Sequence, residues 1–422
     1  YRAFSKAYTM DPVYIVGIGM TPLGRHIEKS VKQLTQIAID AALADAGCAK
    51  EAIDAAWFSN TRQGLMEGQH GIRGQCALRA YGFEGLPIIN TDNACASSTT
   101  GLNQAVAYLR AGMAEVALVV GAEKMNYPEK RDLMFEAFRG SMDLDLGEEH
   151  LKRSIALAAD LPLPPEAQAD VGERSIFMDA YAASARYHML RHGLTQRQLA
   201  AVAAKNHWHA SMNPLSHYRT PRTIEEVLAD RIVAWPLTRA MCAPISDGAA
   251  ALVVCSRDAL ARFDRKRAVR VLATTLASGV IHAPDDEQKK VPRLAALKAF
   301  EQAGIGPGDI SLAEVHDATA FGEIKHIEAL GLCPAGEGGA MTERGETRLG
   351  GRVPVNPSGG LLAKGHPVAA TGAIQVHELV TQLRGEAGER QVAGARIAVA
   401  GNGGGSYDGE EAVSATTILG QA

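Results

Sequence analysis

Two short segments carry side chains able to do covalent chemistry. In PIINTDNACASSTTGLNQA an apolar run that reads as a strand ends at Asn90, a turn of small polar residues follows, and Cys95 falls just before a predicted helix. Unpaired backbone N–H groups and the helix dipole favour thiolate there, so the position predicts a lowered pKa and an acyl-accepting nucleophile. A small buried packing residue is the commonest fate of a free cysteine, and on spacing alone the two readings stand level. The second segment, NPSGGLLAKGHPVAATGAIQ, sets His366 between Gly365 and Pro367 ahead of a helix starting near Ala370. Its glycines, Gly359, Gly360 and Gly365, point to a close approach of ligand or backbone. A histidine facing Cys95 across a cleft would take its proton; otherwise a lone histidine is a hydrogen-bonded structural residue.

Holding those loops face to face calls for two similar supports. Strand-then-helix patterns recur from Val13 onward, at 55–60, at 87–90 leading into a helix over 96–111, and at 114–124, so the class is α/β. A later strand, 249–256, follows the turn Ser246-Asp247-Gly248. ALADAGCAKEAIDAAWFS (42–59) aligns without a gap on AFEQAGIGPGDISLAEVH (299–316), sharing the stops Ala46-Gly47 and Ala303-Gly304 and the isoleucines Ile53 and Ile310. Likewise 114–120 resembles 395–401, and 248–254 resembles 411–419. Two homologous halves follow, with the His366 loop as the counterpart of the Cys95 loop. The stretch 126–239, with helical segments and a proline-rich break at 161–168, interrupts the first half and is expected to cover the active site as an inserted subdomain. The expected division is 11–125 with 240–265, the insertion 126–239, and 266–422.

The 422 residues carry 43 Lys+Arg against 47 Asp+Glu, a net charge of −4 that offers no basic field for nucleic acid or an anionic membrane surface. With 46% hydrophobic and 21% charged residues, the composition is that of an ordinary globular chain. No apolar run reaches the roughly 18 to 20 residues of a membrane helix. Cys48, Cys76, Cys95, Cys242, Cys255 and Cys333 include no CxxC pair and read as reduced thiols. The start lacks the apolar stretch of a secretory signal, so a cytoplasmic enzyme is expected. Met10, behind residues 1–9, is a candidate native start.

With these motifs in view, the chain resembles the thiolases over nearly all of 11–422, in particular the branch of the sterol carrier protein thiolases and acetyl-CoA acetyltransferases. The resemblance rests on Asn93-Ala94-Cys95-Ala96-Ser97-Ser98, Val315-His316-Asp317, the 356–372 segment with its Gly365-His366-Pro367, and Gly401-Asn402-Gly403-Gly404-Gly405. Weaker matches lie at 246–250 and 205–207. It implies the thiolase fold, two similar α/β halves packed as a five-layer αβαβα sandwich with an inserted loop subdomain. It further implies a Cys95 acyl-thioester activated by His366. His316 and His366 would line the site for the thioester oxygen of the enolate, and the N–H groups of Cys95 and Gly403 the site for the acyl-enzyme oxygen. Asn402 and Asp317 would support these sites, and Ser358 and Gly359 would touch substrate. Acyl-CoA and coenzyme A as co-substrate are implied, with no permanently bound cofactor and no metal. So is a homodimer paired through the strand near 87–90. Some relatives work with a small companion subunit of OB fold and zinc ribbon.

The chain departs from the family at one point. Thiolases usually hold a second cysteine that moves the α-proton, either just before the terminal glycine run or directly after the His-Asp pair. Here those places are Gly401 and Ala318. Such acid–base help is worth roughly 10² to 10⁴ in rate, and His316, Asp317 or a water on Asn402 are the expected replacements, with Glu323 and Tyr407 more distant. Asp317 reads better as an orienting partner than as a catalytic acid. The expected activity is thiolytic cleavage of a 3-ketoacyl-CoA bearing a branched, aromatic or steroid-like chain. The alternatives are a thiolase-fold lyase cleaving a β-hydroxyacyl-CoA by retro-aldol chemistry, against which the retained Cys95 argues, and a noncatalytic acyl-CoA binding subunit.

Overall fold

Residues 11–168, 172 and 174–422 are described by the computed structural model, and the candidate start at Met10 lies outside them. In chain order the strands are β1 (Val13–Met20), β2 (Ala55–Ser59), β3 (Ile88–Thr91), β4 (Val116–Glu123), β5 (Ile232–Ala234), β6 (Leu237–Thr238), β7 (Gly248–Ser256), β8 (Val269–Ser278), β9 (Leu312–Val315), β10 (Ile397–Gly404) and β11 (Val413–Gln421). Nine of them form one sheet in the order β3-β2-β4-β7-β1-β8-β11-β10-β9, while β5 and β6 pair separately. The sheet is two halves joined at a narrow seam, where β1 meets β8 only over Val13 to Ile15. On each side the pattern repeats. In the first half β2 runs parallel to β4 and β4 antiparallel to β7; in the second, β9 runs parallel to β10 and β10 antiparallel to β11. Thus β4 corresponds to β10 and β7 to β11, as the internal alignment predicts.

Strands covered on both faces need continuous apolar runs rather than alternation, and every residue of β4 is buried. On one face of the first half lies the helix Val31–Ala46, opened by a Ser30–Gln33 capping box and closed at left-handed Gly47. Its Leu34, Ala38, Ile39 and Ala42, at helical spacing, share a core with Val116, Leu118, Val120 and Val253. Between the two halves run the helices Ser97–Arg110 and Thr371–Leu383, whose Leu102, Val106, Ile374 and Leu379 pack with Val119, Leu252, Ala400 and Leu419. The outer face of the second half is closed by Val291–Ala303 and Ala320–Ala329, through Ala296, Phe300 and Ile327 against Val315, Val399 and Ile418. These are the five layers expected of the sandwich.

Between β4 and β7 the chain forms the helices Arg131–Arg139, Gly147–Ala156, Ile176–His192 and Gln196–Ser211 and the β5–β6 ribbon. Leu199, Val202, Leu237 and Met241 from this stretch bury themselves with Phe321, Ile324 and Leu362 of the second half. Among the described residues no helix is long and apolar enough to cross a membrane.

Candidate active site

Beyond β3 the chain turns through Asp92 to Ala96, with Ala94 in the left-handed region at φ 49°. Ser97, the first residue of the central helix, ties the turn by donating its hydroxyl to Ala94 O at 2.6 Å and accepting Asn93 N–H at 2.9 Å. Cys95 is thereby held at the seam between the halves. From the second half comes His366, after Gly365 at φ 124°, where a side chain would also strike Ser246 Oγ at 2.7 Å. Cys95 Sγ and His366 Nε2 are 3.3 Å apart. The Thr371 hydroxyl donates to Val368 O at 2.8 Å, so it accepts Nδ1–H of His366 at 2.9 Å. That assignment leaves Nε2 as the acceptor for the thiol proton.

The expected low thiol pKa is not found. Burial pushes Cys95 up to about 12 despite the nearby Arg62, with Glu123 and Glu411 adding to the rise. The physical reason is position: the helix starts at Ser97, two residues on, and Cys95 packs against the cluster of Met66, Met125, Met134, Ala137 and Val368. Burial, with His316 and Arg62 nearby, holds His366 well below the usual histidine range. The resting pair is therefore a thiol beside a neutral imidazole.

His316 follows β9 and lies 2.9 Å from Asn402 Oδ1 through its Nδ1. Asn402 Nδ2 donates to Cys95 O and to Thr99 Oγ1, each at 2.9 Å, which fixes the amide orientation because a carbonyl only accepts. His316 thus donates from Nδ1, and burial holds its pKa down to about 4. Its ring meets His366 edge to face at 5.4 Å. The reactive atoms of Cys95, His316 and His366 all lie within 4.8 Å of one another. Gly403 sits beside this set on β10, and a Cβ there would lie 2.2 Å from the Glu411 carboxyl carbon.

The remaining sequence-predicted residues divide. Asp317 accepts Leu361 N–H at 2.7 Å, Leu362 N–H at 3.3 Å and Asn206 Nδ2 at 2.8 Å, clasping the Gly360–Lys364 turn. Burial and the neighbouring Glu323 push its carboxyl well up. Glu323 is held by Lys205 at 2.6 Å, and Tyr407 is 53% exposed. Ser358 and Gly359, expected at the substrate, are turned inward: the Ser358 hydroxyl donates to Glu314 at 2.7 Å, and a Cβ on Gly359 would lie 2.5 Å from Ala210. Close helix packing explains those small residues.

Sequence reasoning missed Arg62, Tyr181, His326 and Glu411. Arg62 is buried beside the Met cluster, donates to Ala137 O, lies 5.4 Å from the Phe138 ring and forms no ion pair among the described residues. The Tyr181 phenol, beside Gly322, is pushed well up by burial. A cavity of about 840 Å³ has Phe321, Lys325, Glu411 and Ala412 in its wall, while Cys95, His316 and His366 are not among its lining residues.

Residues 13–221 match the thiolase N-terminal domain, and residues 274–421 match the thiolase C-terminal domain-like family. The chain is a member of the thiolase family. An acetyl-CoA acetyltransferase of Methanothermobacter thermautotrophicus is 37% identical to this thiolase over 402 residues, covering 94% of the chain and 97% of that protein. Human sterol carrier protein 2 is 34% identical over 406 residues, 93% of the chain and 70% of that protein. The benzoylsuccinyl-CoA thiolase subunit BbsB of Thauera aromatica is 32% identical over 384 residues, covering 90% and 91%. Among solved structures, the Ltp2-ChsH2(DUF35) aldolase shares the fold at TM-score 0.75 and 24% identity, covering 97% of this chain and 98% of that one. Human mitochondrial 3-ketoacyl-CoA thiolase does so at 0.70 and 17%, covering 98% and 99%. This thiolase is an enzyme of the acyltransferase type, from a family that uses coenzyme A as substrate.

Proposed function

We propose that this thiolase cleaves a 3-ketoacyl-CoA with coenzyme A, carrying the acyl group as a thioester on Cys95. The observation that carries this reading is the 3.3 Å contact between Cys95 Sγ and His366 Nε2. As Sγ adds to the 3-keto carbon, the thiol proton passes to His366, and the Cys95 and Gly403 N–H groups face the developing oxyanion. Breaking the C2–C3 bond leaves an enolate of the departing thioester. His366, whose Nε2 now carries the thiol proton, donates to that oxygen, while His316 beside it stays neutral with its Nδ1 proton committed to Asn402. Coenzyme A then attacks the acyl-Cys95, and His366 returns its proton to the thiol.

A chain larger than acetyl, branched, aromatic or steroid-like, is supported by the cavity of about 840 Å³ that reaches Glu411 and by a relative named for benzoylsuccinyl-CoA. The name of the Ltp2-ChsH2(DUF35) aldolase structure pairs two components, which supports a companion subunit here. The outer edge of β3 supports pairing in a homodimer. The test is incubation with a 3-ketoacyl-CoA and mapping of the adduct by mass spectrometry. An acyl group on Cys95 and no turnover by Cys95→Ala are expected. Full turnover by that variant, or acylation of another cysteine alone, would overturn the reading.

A further inference from the structure

Both places where the family keeps its second cysteine are vacant, yet the enolate carbon must still receive a proton. The space over one of them is filled by an imidazole. A Cβ built on Gly401 would lie 3.1 Å from His326 Nδ1, so this ring stands where a cysteine at 401 would project. His326 belongs to the Ala320–Ala329 helix and is 1% exposed. Its Nε2 lies 2.9 Å from Glu411 Oε1. A carboxylate only accepts, so Nε2 bears the proton and the neutral ring presents its lone pair at Nδ1, which makes no hydrogen bond among the described residues. The ring stacks on His316 at 6.0 Å and 21°, and His316 meets His366 at 5.4 Å. Three imidazoles thus run from the nucleophile to the Gly401 position.

Glu411 is built into this arrangement. Its Oε2 is buried without a hydrogen-bond partner, and Lys325 Nζ lies 3.5 Å from Oε1. Against the upward push of burial, Lys325 and His326 hold the carboxyl well below the usual range, so it stays anionic. Gly403 lets it in, since any side chain there would occupy the carboxylate's place. An anion on Nε2–H fixes the tautomer and strengthens the base at the opposite nitrogen, the division of labour of a histidine–carboxylate dyad.

We propose that His326, oriented by Glu411, is the general acid–base that moves the α-proton in place of the absent cysteine. This rests on the thiolytic reading above. In cleavage the ring starts protonated at both nitrogens, having taken a proton from solvent at Nδ1; C2–C3 breaks with its electron pair on C2, and the Nδ1 proton goes to C2. Coenzyme A then releases its thiol proton to solvent as its sulfur takes the acyl group, His366 returns to Cys95 the proton it accepted, and His326 takes its next proton from solvent. Both histidines end as they began. In the reverse direction the neutral His326 takes the α-proton.

The test separates the two chemistries, with acetyl-CoA in D2O as the probe. Acetylation of Cys95 and deuterium uptake into the acetyl methyl are both read by mass spectrometry, and the parent shows both. His326→Ala keeps acetylation within about twofold and loses at least about 100-fold in exchange. His326→Gln, which keeps a donor to Glu411 without the base, gives the same split should the alanine variant not fold. Glu411→Gln loses about tenfold in exchange alone. His326→Ala combined with Gly401→Cys recovers exchange, because truncation clears the ring atom that would crowd the new Cβ. Exchange unchanged in His326→Ala, or equal loss of acetylation and exchange in all these variants, overturns the proposal. A parent that acetylates Cys95 without exchanging overturns it alone, whereas a parent in which Cys95 is never acetylated overturns the thiolytic reading.

Discussion

Cys95 keeps its proton at rest and His366 is neutral, so reactivity depends on transfer at the moment of attack rather than on a standing thiolate. The pH dependence follows in sign. With the thiol pushed up to about 12, the thiolate fraction falls about tenfold for each pH unit below it, and a depressed imidazole stays a neutral base through the neutral range. Iodoacetamide alkylation of Cys95 should therefore climb steadily from about pH 6 to 9, and His366→Ala should slow it near pH 7. A plateau reaching down to about pH 5 would instead reveal a thiolate–imidazolium pair. Thr371→Val removes the acceptor for Nδ1–H of His366. It should lower kcat about tenfold with little change in KM or melting temperature, since a hydrogen bond of this kind is worth roughly 1 kcal/mol. Cys95 and His366 are legible in the sequence because small residues and glycines crowd around them. His326 and Glu411 are not: they lie 85 positions apart, and each reads as one more polar residue on a helix or a loop.

Both catalytic loops lead into central helices, and the approach of those helices sets the distance between sulfur and imidazole. They touch where Gly372 passes Thr99: a Cβ on Gly372 would lie 1.8 Å from Thr99 Oγ1 and 2.7 Å from its backbone nitrogen. Ser98 Oγ also accepts Ala373 N–H at 2.9 Å across the same contact. Since a backbone atom cannot rotate aside, Gly372→Ala should force the helices apart, at a cost typical of overpacking, about 1 to 3 kcal/mol. A lower denaturant midpoint and alkylation of Cys95 that no longer responds to loss of His366 are expected. Gly308→Ala, where a Cβ meets nothing within 4 Å, should change neither. The repeat disclosed that the two loops correspond, because strand and helix periodicities survive in each half. It could not disclose how closely the helices cross, which depends on pairs such as Gly372 and Thr99 that no local pattern links.

At the scale of the molecule, two α/β halves must behave as one body although their strands meet only between β1 and β8. Asp45, near the end of the Val31–Ala46 helix of the first half, helps to bind them. It accepts Ile18 N–H at 2.9 Å, Arg267 Nη2 at 2.8 Å and Arg384 Nη1 at 2.7 Å. Arg384, whose side chain is 2% exposed, also reaches Arg267 O and Val16 O. Nothing in the sequence marks Asp45 and Arg384, 339 positions apart, as partners. Burial pushes the Asp45 carboxyl up, but the Arg384 and Arg267 hydrogen bonds outweigh it and the net shift is downward. The folded pKa then lies below the unfolded value of about 3.9, so the clamp stabilises fully above that value and fades as pH falls through the folded pKa. Asp45→Asn leaves the Arg384 charge buried with a weaker partner and should cost about 1.5 to 3 kcal/mol at pH 7. Urea midpoints of parent and variant should converge as pH drops below about 4. A gap of the same size at pH 7 and pH 3 would mean that the charge of Asp45 does not hold the halves together.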